Sequence, residues 1–383
     1  MNCEDHKHAI NKKDGIYDKL VPLKSLDLSK CNSIDDLVRG MAFTSFGGRK
    51  VGEAADVLEA MSNDKDCLKV LTLSGAMTMA KMGLVICDMI DHGMVDVIIS
   101  TGALMAHGFV EGTGMDHFKC PAGIPDDKLE RGGYDRVYDT IELEKNLDDI
   151  EDIIDKILYK RDNSEHLSSY EFCRLLGKYL VENTEGRGIL KSAYEKNVPV
   201  FIPAFTDSEM GLDLGIFNRR LVKNGKEKIV FNSMLDLEKY TDIIIEAKKL
   251  GIFTIGGGVP RNWAQQVGPY LDAMRWRLRD DKSEAKYFKT FEKEDPFNKA
   301  FKYGVRICPE PVHWGGLSGC TYSEGISWGK FWPVEKGGRY AEVIADATIA
   351  WPLIVKAVLE RLGKHGKKSF KQELREKFKF LKI

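Results

Sequence analysis

The sequence predicts an α/β protein built on one large, doubly wound, mostly parallel sheet, and three observations predict it. Short runs rich in Val, Ile and Leu stop at small or polar residues, helix-length amphipathic segments fall between them, and the two kinds of segment alternate along the chain. Near-continuous apolar runs are the pattern of parallel strands covered on both faces, because a strand with one wet face would alternate instead.

Taken in order, Val70–Leu73 stops at Ser74-Gly75 and Val95–Ile99 at Ser100-Thr101-Gly102. Val198–Ile202 precedes Thr206-Asp207, and Ile252–Ile255 runs into Gly256-Gly257-Gly258. Gly304–Ile307 and Ala341–Ile344, the latter before Asp346, complete the series. Apolar residues spaced near three and four predict helices over Met77–His92, Glu238–Leu250 and Ala347–Leu362. Leu143–Lys160, rich in Glu and Asp, reads as a solvated helix. Ligands of doubly wound sheets bind at the carboxyl ends of strands, so the residues that close the runs localise the site.

The flanks differ from this body. Residues 1–35 are polar with weak periodicity and read as an N-terminal extension; residues 36–362 form the large domain. Residues 363–383 are basic, and Phe370, Phe378 and Phe380 suit an amphipathic segment that docks its rings and solvates its lysines. Lys and Arg total 57 against 58 Asp and Glu, a net charge of −1 that gives no field to recruit nucleic acid or an anionic membrane. No apolar run approaches the roughly 18 residues of a membrane span, and the eight cysteines form no C-x-x-C pair. Both features suit a cytoplasmic protein.

Several residues could carry chemistry. The Gly256-Gly257-Gly258 turn would let backbone approach a ligand closely, or is a tight turn alone; neither G-x-G-x-x-G after the first strand nor a phosphate-binding loop motif is present. Asp207 and Asp213 could hydrogen-bond ribose hydroxyls, receive a substrate ammonium, or cap a helix, and Asp346 before Ala347 poses the same choice. His107 follows a strand end and is a candidate for cofactor or substrate. His117 and Asp116 lie near it, but without H-x-x-x-H or H-E-x-x-H spacing no metal site is expected. In Thr321–Lys330, Thr321 and Glu324 fit a capping box, and Glu324 and Trp328 would share a helix face suited to an amine. A lysine in such surroundings loses proton affinity and can become a nucleophile that forms a Schiff base, which would be the role of Lys330; the other reading, which residue types alone favour, is that Glu324 caps, Trp328 is core and Lys330 is surface.

Glu324-Gly325-Ile326-Ser327-Trp328-Gly329-Lys330, followed by Ala345–Thr348 and Pro352-Leu353, resembles the carboxyl-terminal signature of deoxyhypusine synthases. Met94–Val97 with Thr101-Gly102, Pro203–Asp207 and the triple-glycine turn resemble that family too, in its order, so the likeness spans roughly residues 40–360. The resemblance implies a homotetramer that binds NAD and moves an aminobutyl group from spermidine, through an imine on Lys330, to an acceptor amine. It implies polyamine contacts at Glu324 and Trp328, with Asn262, Asp213 and His107 as further substrate positions. The NAD site would take in Ser74, Gly75, Thr101, Gly102, Asp207, Gly256, Gly258, Ser318, Asp346 and Ala347.

Departures accompany the likeness. Arg261-Asn262 stands where protein-modifying members have Lys-His, the histidine serving as a base; Leu317 replaces an acidic residue beside the substrate amine, and Ala106-His107 replaces paired glutamates. The pattern implies a divergent, deoxyhypusine-synthase-like transferase acting between small amines. The alternatives are a true deoxyhypusine synthase modifying a translation-factor lysine, an inactive NAD-binding scaffold, and a metal-dependent hydrolase around His107, Asp116 and His117.

Overall fold

All six apolar runs become strands of one sheet in a computed structural model that describes residues 15, 18–162, 164–278 and 299–364. The strands are β1 (Cys67–Leu73), β2 (Val97–Ser100), β3 (Val200–Phe201), β4 (Lys249–Ile255), β5 (Phe301–Ile307) and β6 (Arg339–Val343). They lie in the order β3-β2-β1-β4-β5-β6, and every neighbouring pair is parallel. This is a doubly wound order, and it reverses direction between β1 and β4, where such sheets open a crevice for ligands.

Alternate residues of each strand enter different cores. Leu71, Leu73, Ile98, Phe253, Ile255, Val305 and Ile307 face one cluster, while Leu68, Val70, Val97, Ile99, Leu250 and Ile252 face the other. A period of two with both faces apolar is why the runs are continuous rather than alternating. The chain's two described ends are clasped together: Arg361, on the helix Ala347–Lys364, bonds Asp35 at 2.6 Å and Asp56 at 2.8 Å.

Three expectations need correction. The helix predicted from Met77 begins only at Gly83 and ends at Asp91, because Gly75 at φ 78° and Lys81 at φ 60° turn the intervening chain. The segment Glu238–Leu250 is divided: the helix is Met234–Glu246, and Leu250 belongs to β4. The helix Glu144–Leu158 is not wholly solvated, since Ile150, Ile154 and Leu158 are buried along one face. A small antiparallel sheet of Phe118–Lys119, Thr140–Leu143 and Tyr134–Val137, with Thr140–Leu143 in the middle, was not foreseen.

Residues 1–14 of the expected extension and the segment with Phe370, Phe378 and Phe380 lie outside the described residues, and the first helix, Ile34–Ala42, begins just before the expected boundary at 35. Among the described residues no helix is long and apolar enough to cross a membrane.

Candidate active site

At the reversal point two strand ends are tied together. β1 ends at Ser74-Gly75 and β4 at Gly256-Gly257-Gly258. The Ser74 hydroxyl accepts from the Gly257 amide at 2.8 Å and donates to the Ile255 carbonyl at 3.2 Å. Gly256 (φ 74°) and Gly258 (φ 59°) adopt left-handed backbone, which glycine enters without steric cost. At Gly257 a Cβ would lie 2.5 Å from the Ser318 Cα, so the loop carrying Ser318 rests directly on the turn. Gly258, by contrast, faces open space at the start of the helix Gly258–Gln265.

Beneath this loop runs a row of polar side chains. Thr72, Thr254, Arg306 and Glu342 are partners in register on four adjacent strands. Thr72 and Thr254 share a hydrogen bond of 2.9 Å, and Arg306 pairs with Glu342 at 2.5 Å. Arg306 also donates to the carbonyls of Ser318 (2.5 Å) and Cys320 (3.0 Å). Arg261 reaches the Cys320 carbonyl at 2.7 Å from the helix after β4. Two buried guanidiniums thus hold one loop, and Glu342 takes the Tyr322 amide at 2.9 Å, fixing the next helix, Tyr322–Ser327. Nothing in the local sequence marked Arg261, Arg306 and Glu342 as a group, because their contacts depend on sheet register.

Half of the expected capping box is present: the Thr321 hydroxyl accepts from the Glu324 amide at 3.1 Å. Trp328 is that helix's C-cap and is 65% exposed. Gly329 turns at φ 67°, and the Lys330 carbonyl accepts from the Phe301 amide at 2.9 Å. Phe301 opens β5, so the Lys330 backbone stands at the amino end of the sheet rather than the carboxyl end. Its side chain reaches back to the helix after β4, where Nζ donates to Asn262 Oδ1 at 3.2 Å. Asn262 is four residues past Gly258, about 6 Å of axial rise, so the ammonium is roughly one turn from the glycine turn. Nζ lies 5.8 Å from the Trp328 ring centroid, within cation–π reach. Burial pushes the Lys330 ammonium below the ordinary lysine value, and Arg261 adds to this against Cys320 and Glu324.

The remaining predicted residues divide. Thr101-Gly102 and Asp207 follow β2 and β3, and a Cβ on Gly102 would lie 2.4 Å from the Ser208 Cβ, so these two strand ends touch. Asp207 does not cap the following helix; Ser208 holds that position, and Asp207 is exposed. Asp346 does cap, accepting from the Thr348 amide at 2.7 Å through Oδ1, directly before the buried Ala347. Asp213 lies one turn into the helix Glu209–Lys223. Burial, then the charges of Glu151, Glu209 and Asp155, push its carboxyl up to about 7 against the pull of Arg220, and its buried Oδ2 has no hydrogen-bond partner among the described residues. His107 bonds through Nδ1 to Glu142 Oε2 at 3.1 Å. Asp116 is not part of that cluster; its carbonyl accepts from Asn146 at 3.1 Å.

Comparison with known proteins places the sequence and the fold. The sequence model of deoxyhypusine synthase matches residues 36–358. A Methanosarcina mazei protein named "Probable deoxyhypusine synthase 2" is 33% identical over 338 residues, 87% of this chain and 88% of the relative. A Chlorobaculum tepidum "Deoxyhypusine synthase-like protein" is 35% identical over 335 residues, again 87% and 88%. Among solved structures, a candidate deoxyhypusine synthase from Entamoeba histolytica has the same fold, with a TM-score of 0.55 at 16% identity over 88% of this chain and 97% of that one. The α/β fold, the extent of the sequence match and the relatives agree: the chain belongs to the deoxyhypusine synthase family.

Proposed function

We propose that this family member is an NAD-dependent transferase that takes an aminoalkyl group, an aminobutyl group when spermidine is the donor, and passes it to a small amine. The observation that carries the reading is Lys330, half-buried, within reach of the Trp328 ring and hydrogen-bonded to a neutral amide. Asn262 orients the amine without a compensating negative charge, so burial can lower its proton affinity.

The residues at the strand ends fit a dinucleotide. Gly258 leaves open space where a helix begins, the Ser74 hydroxyl braces the turn, and Asp207 offers an exposed carboxylate for hydroxyl groups. When bound, NAD would supply the oxidation by accepting hydride from the donor's amine-bearing carbon, and would return it at the end. Lys330, as free amine, adds to the oxidised carbon, forms a C=N bond to it and expels the rest of the polyamine as an amine, the iminium keeping its proton. The acceptor amine repeats the exchange and frees Lys330, so one difficult transfer becomes two easier ones. Trp328 faces the cationic chain, and Glu324, exposed one turn before it, offers a counter-charge.

A homotetramer accompanies this reading. Trp314 and Leu317 after β5, Val259 after β4, and Ile344 and Ile349 after β6 are exposed apolar side chains at one end of the sheet, a surface suited to a second copy. A second reading, transfer to a protein lysine, draws support from the relatives named as deoxyhypusine synthases.

The test is to incubate the protein with NAD and spermidine or other polyamines, trap with borohydride, and locate the added mass. An adduct on Lys330 that a small amine discharges, absent in Lys330→Ala, is the expected result. Discharge only by a protein acceptor would select the second reading, and no adduct with any amine would remove both.

A further inference from the structure

Away from Lys330, three side chains from three segments converge on one buried point. His107 comes from the helix Gly102–Gly112, His117 from the segment entering the small antiparallel sheet, and Glu142 from that sheet's middle strand. His107 Nδ1 lies 3.1 Å and His117 Nε2 2.6 Å from the same oxygen, Glu142 Oε2. The three atoms all fall within 4.8 Å of one another, and the side chains of His117 and Glu142 are 0% and 1% exposed. The other carboxylate oxygen, Oε1, is fixed from outside by the Leu143 amide at 3.0 Å and by Asn146 at 2.9 Å. Donors that hold one oxygen leave the second turned toward two imidazoles, an arrangement that orients a metal-binding carboxylate.

We propose that His107, His117 and Glu142 bind a divalent cation of the zinc class, as three protein ligands of a tetrahedral centre whose fourth position is open to water. Two imidazoles and a carboxylate without thiolate suit zinc. Ligands about 2.0–2.1 Å from zinc stand roughly 3.3 Å apart in a tetrahedron. The His107–Glu142 edge is already near that spacing, the His117–Glu142 edge must open by a fraction of an ångström, and the His107–His117 edge, within 4.8 Å, closes as the ion draws the two rings in. To ligate, each ring must present a bare nitrogen to the metal and carry its proton on the far one. For His117 the far nitrogen, Nδ1, is now 3.1 Å from Lys81 Nζ, whose other partner is Glu111 at 2.9 Å. Lys81 is 46% exposed and can leave for solvent. Lys81 therefore competes with the metal. The bound ion fastens the antiparallel sheet to the helix that begins beside Thr101, and the inference stands independently of the transferase reading.

The full chain, stripped with chelator, is titrated with Zn2+ by calorimetry and with Co2+ by visible absorption. One ion per chain with a tetrahedral Co2+ spectrum is expected. His107→Gln and Glu142→Gln should lose it, and Asn146→Ala, outside the ligand set, should weaken it by about tenfold or more. Lys81→Met should tighten binding, where a purely hydrogen-bonded cluster predicts no such gain. No uptake, or uptake unchanged in His107→Gln and thus owed to residues such as His6 and His8, would overturn the proposal.

Discussion

Glu142, on the middle strand of the small sheet, and Asp213, on the helix after β3, are both acids drawn out of water, yet they have been driven in opposite directions. Burial alone would raise Glu142, but hydrogen bonds from His107, His117 and Asn146 outweigh it and bring the carboxyl down to about 2. Burial raises Asp213 as well, and there the neighbours are Glu151, Glu209 and Asp155, so it stands at about 7. Depth does not decide the outcome; the sign and hydrogen-bonding capacity of the company do. Both oxygens of Glu142 have hydrogen-bond partners within the chain. Asp213 keeps a buried oxygen that has no hydrogen-bond partner among the described residues, which in the proposed transferase would face an ammonium of the polyamine.

The comparison can be broken most forcefully at Glu142. In metal-free protein, Glu142→Gln removes the charge and one of the two oxygens that together accept from four donors, and should lower stability by about 3 kcal/mol, measured by denaturant unfolding; a loss within error would mean those bonds contribute little.

At Asp213 the same substitution logic should run the other way. A carboxyl raised to about 7 in the fold contributes stability that is fully present below its ordinary value of 3.8 and lost as pH rises through 7. Asp213→Asn avoids that loss, so it should be more stable than the parent by about 1–2 kcal/mol at pH 8, with the gap closing toward pH 4. It should also bind polyamine more weakly, which calorimetry checks. Equal stability at all pH values would show that Asp213 is not strained.

The smallest effect concerns a cation. Arg261 helps hold Lys330 below the ordinary lysine value, so Arg261→Met should move the pH profile of borohydride-trapped adduct to higher pH, because an ammonium without that neighbour keeps its proton longer. An unmoved profile would assign the depression to burial alone.

What the sequence revealed follows the range of the interactions. The six parallel strands were legible because each run carries apolar residues for two faces, a purely local signal. Lys330 was legible through the likeness of residues 324–330 to a family signature. The small antiparallel sheet was not: Phe118–Lys119 spans two residues, and Tyr134–Val137 is largely exposed, so neither shows a buried pattern. Glu142 was missed because His117 is 25 and His107 is 35 residues away in sequence, and only the hairpin brings them together. Asp213 was singled out, but its charge state depends on Glu151 and Asp155, contributed by a helix that precedes it by about sixty positions. The glycine turn stands at a carboxyl end of the sheet and the Lys330 backbone does not, since a segment after β5 doubles back to Phe301 before its side chain returns.

The tryptophans give the molecule a built-in optical gauge. Trp351 is fully enclosed, whereas Trp276, Trp314 and Trp328 are 69%, 70% and 65% open to water. The first sets a fixed, blue-shifted contribution to the emission, and the other three contribute a red component sensitive to whatever covers them. Dilution through the dissociation of an assembly, or addition of a polyamine, should therefore be readable in the emission maximum of the unlabelled protein, and Trp328→Phe would separate the two events.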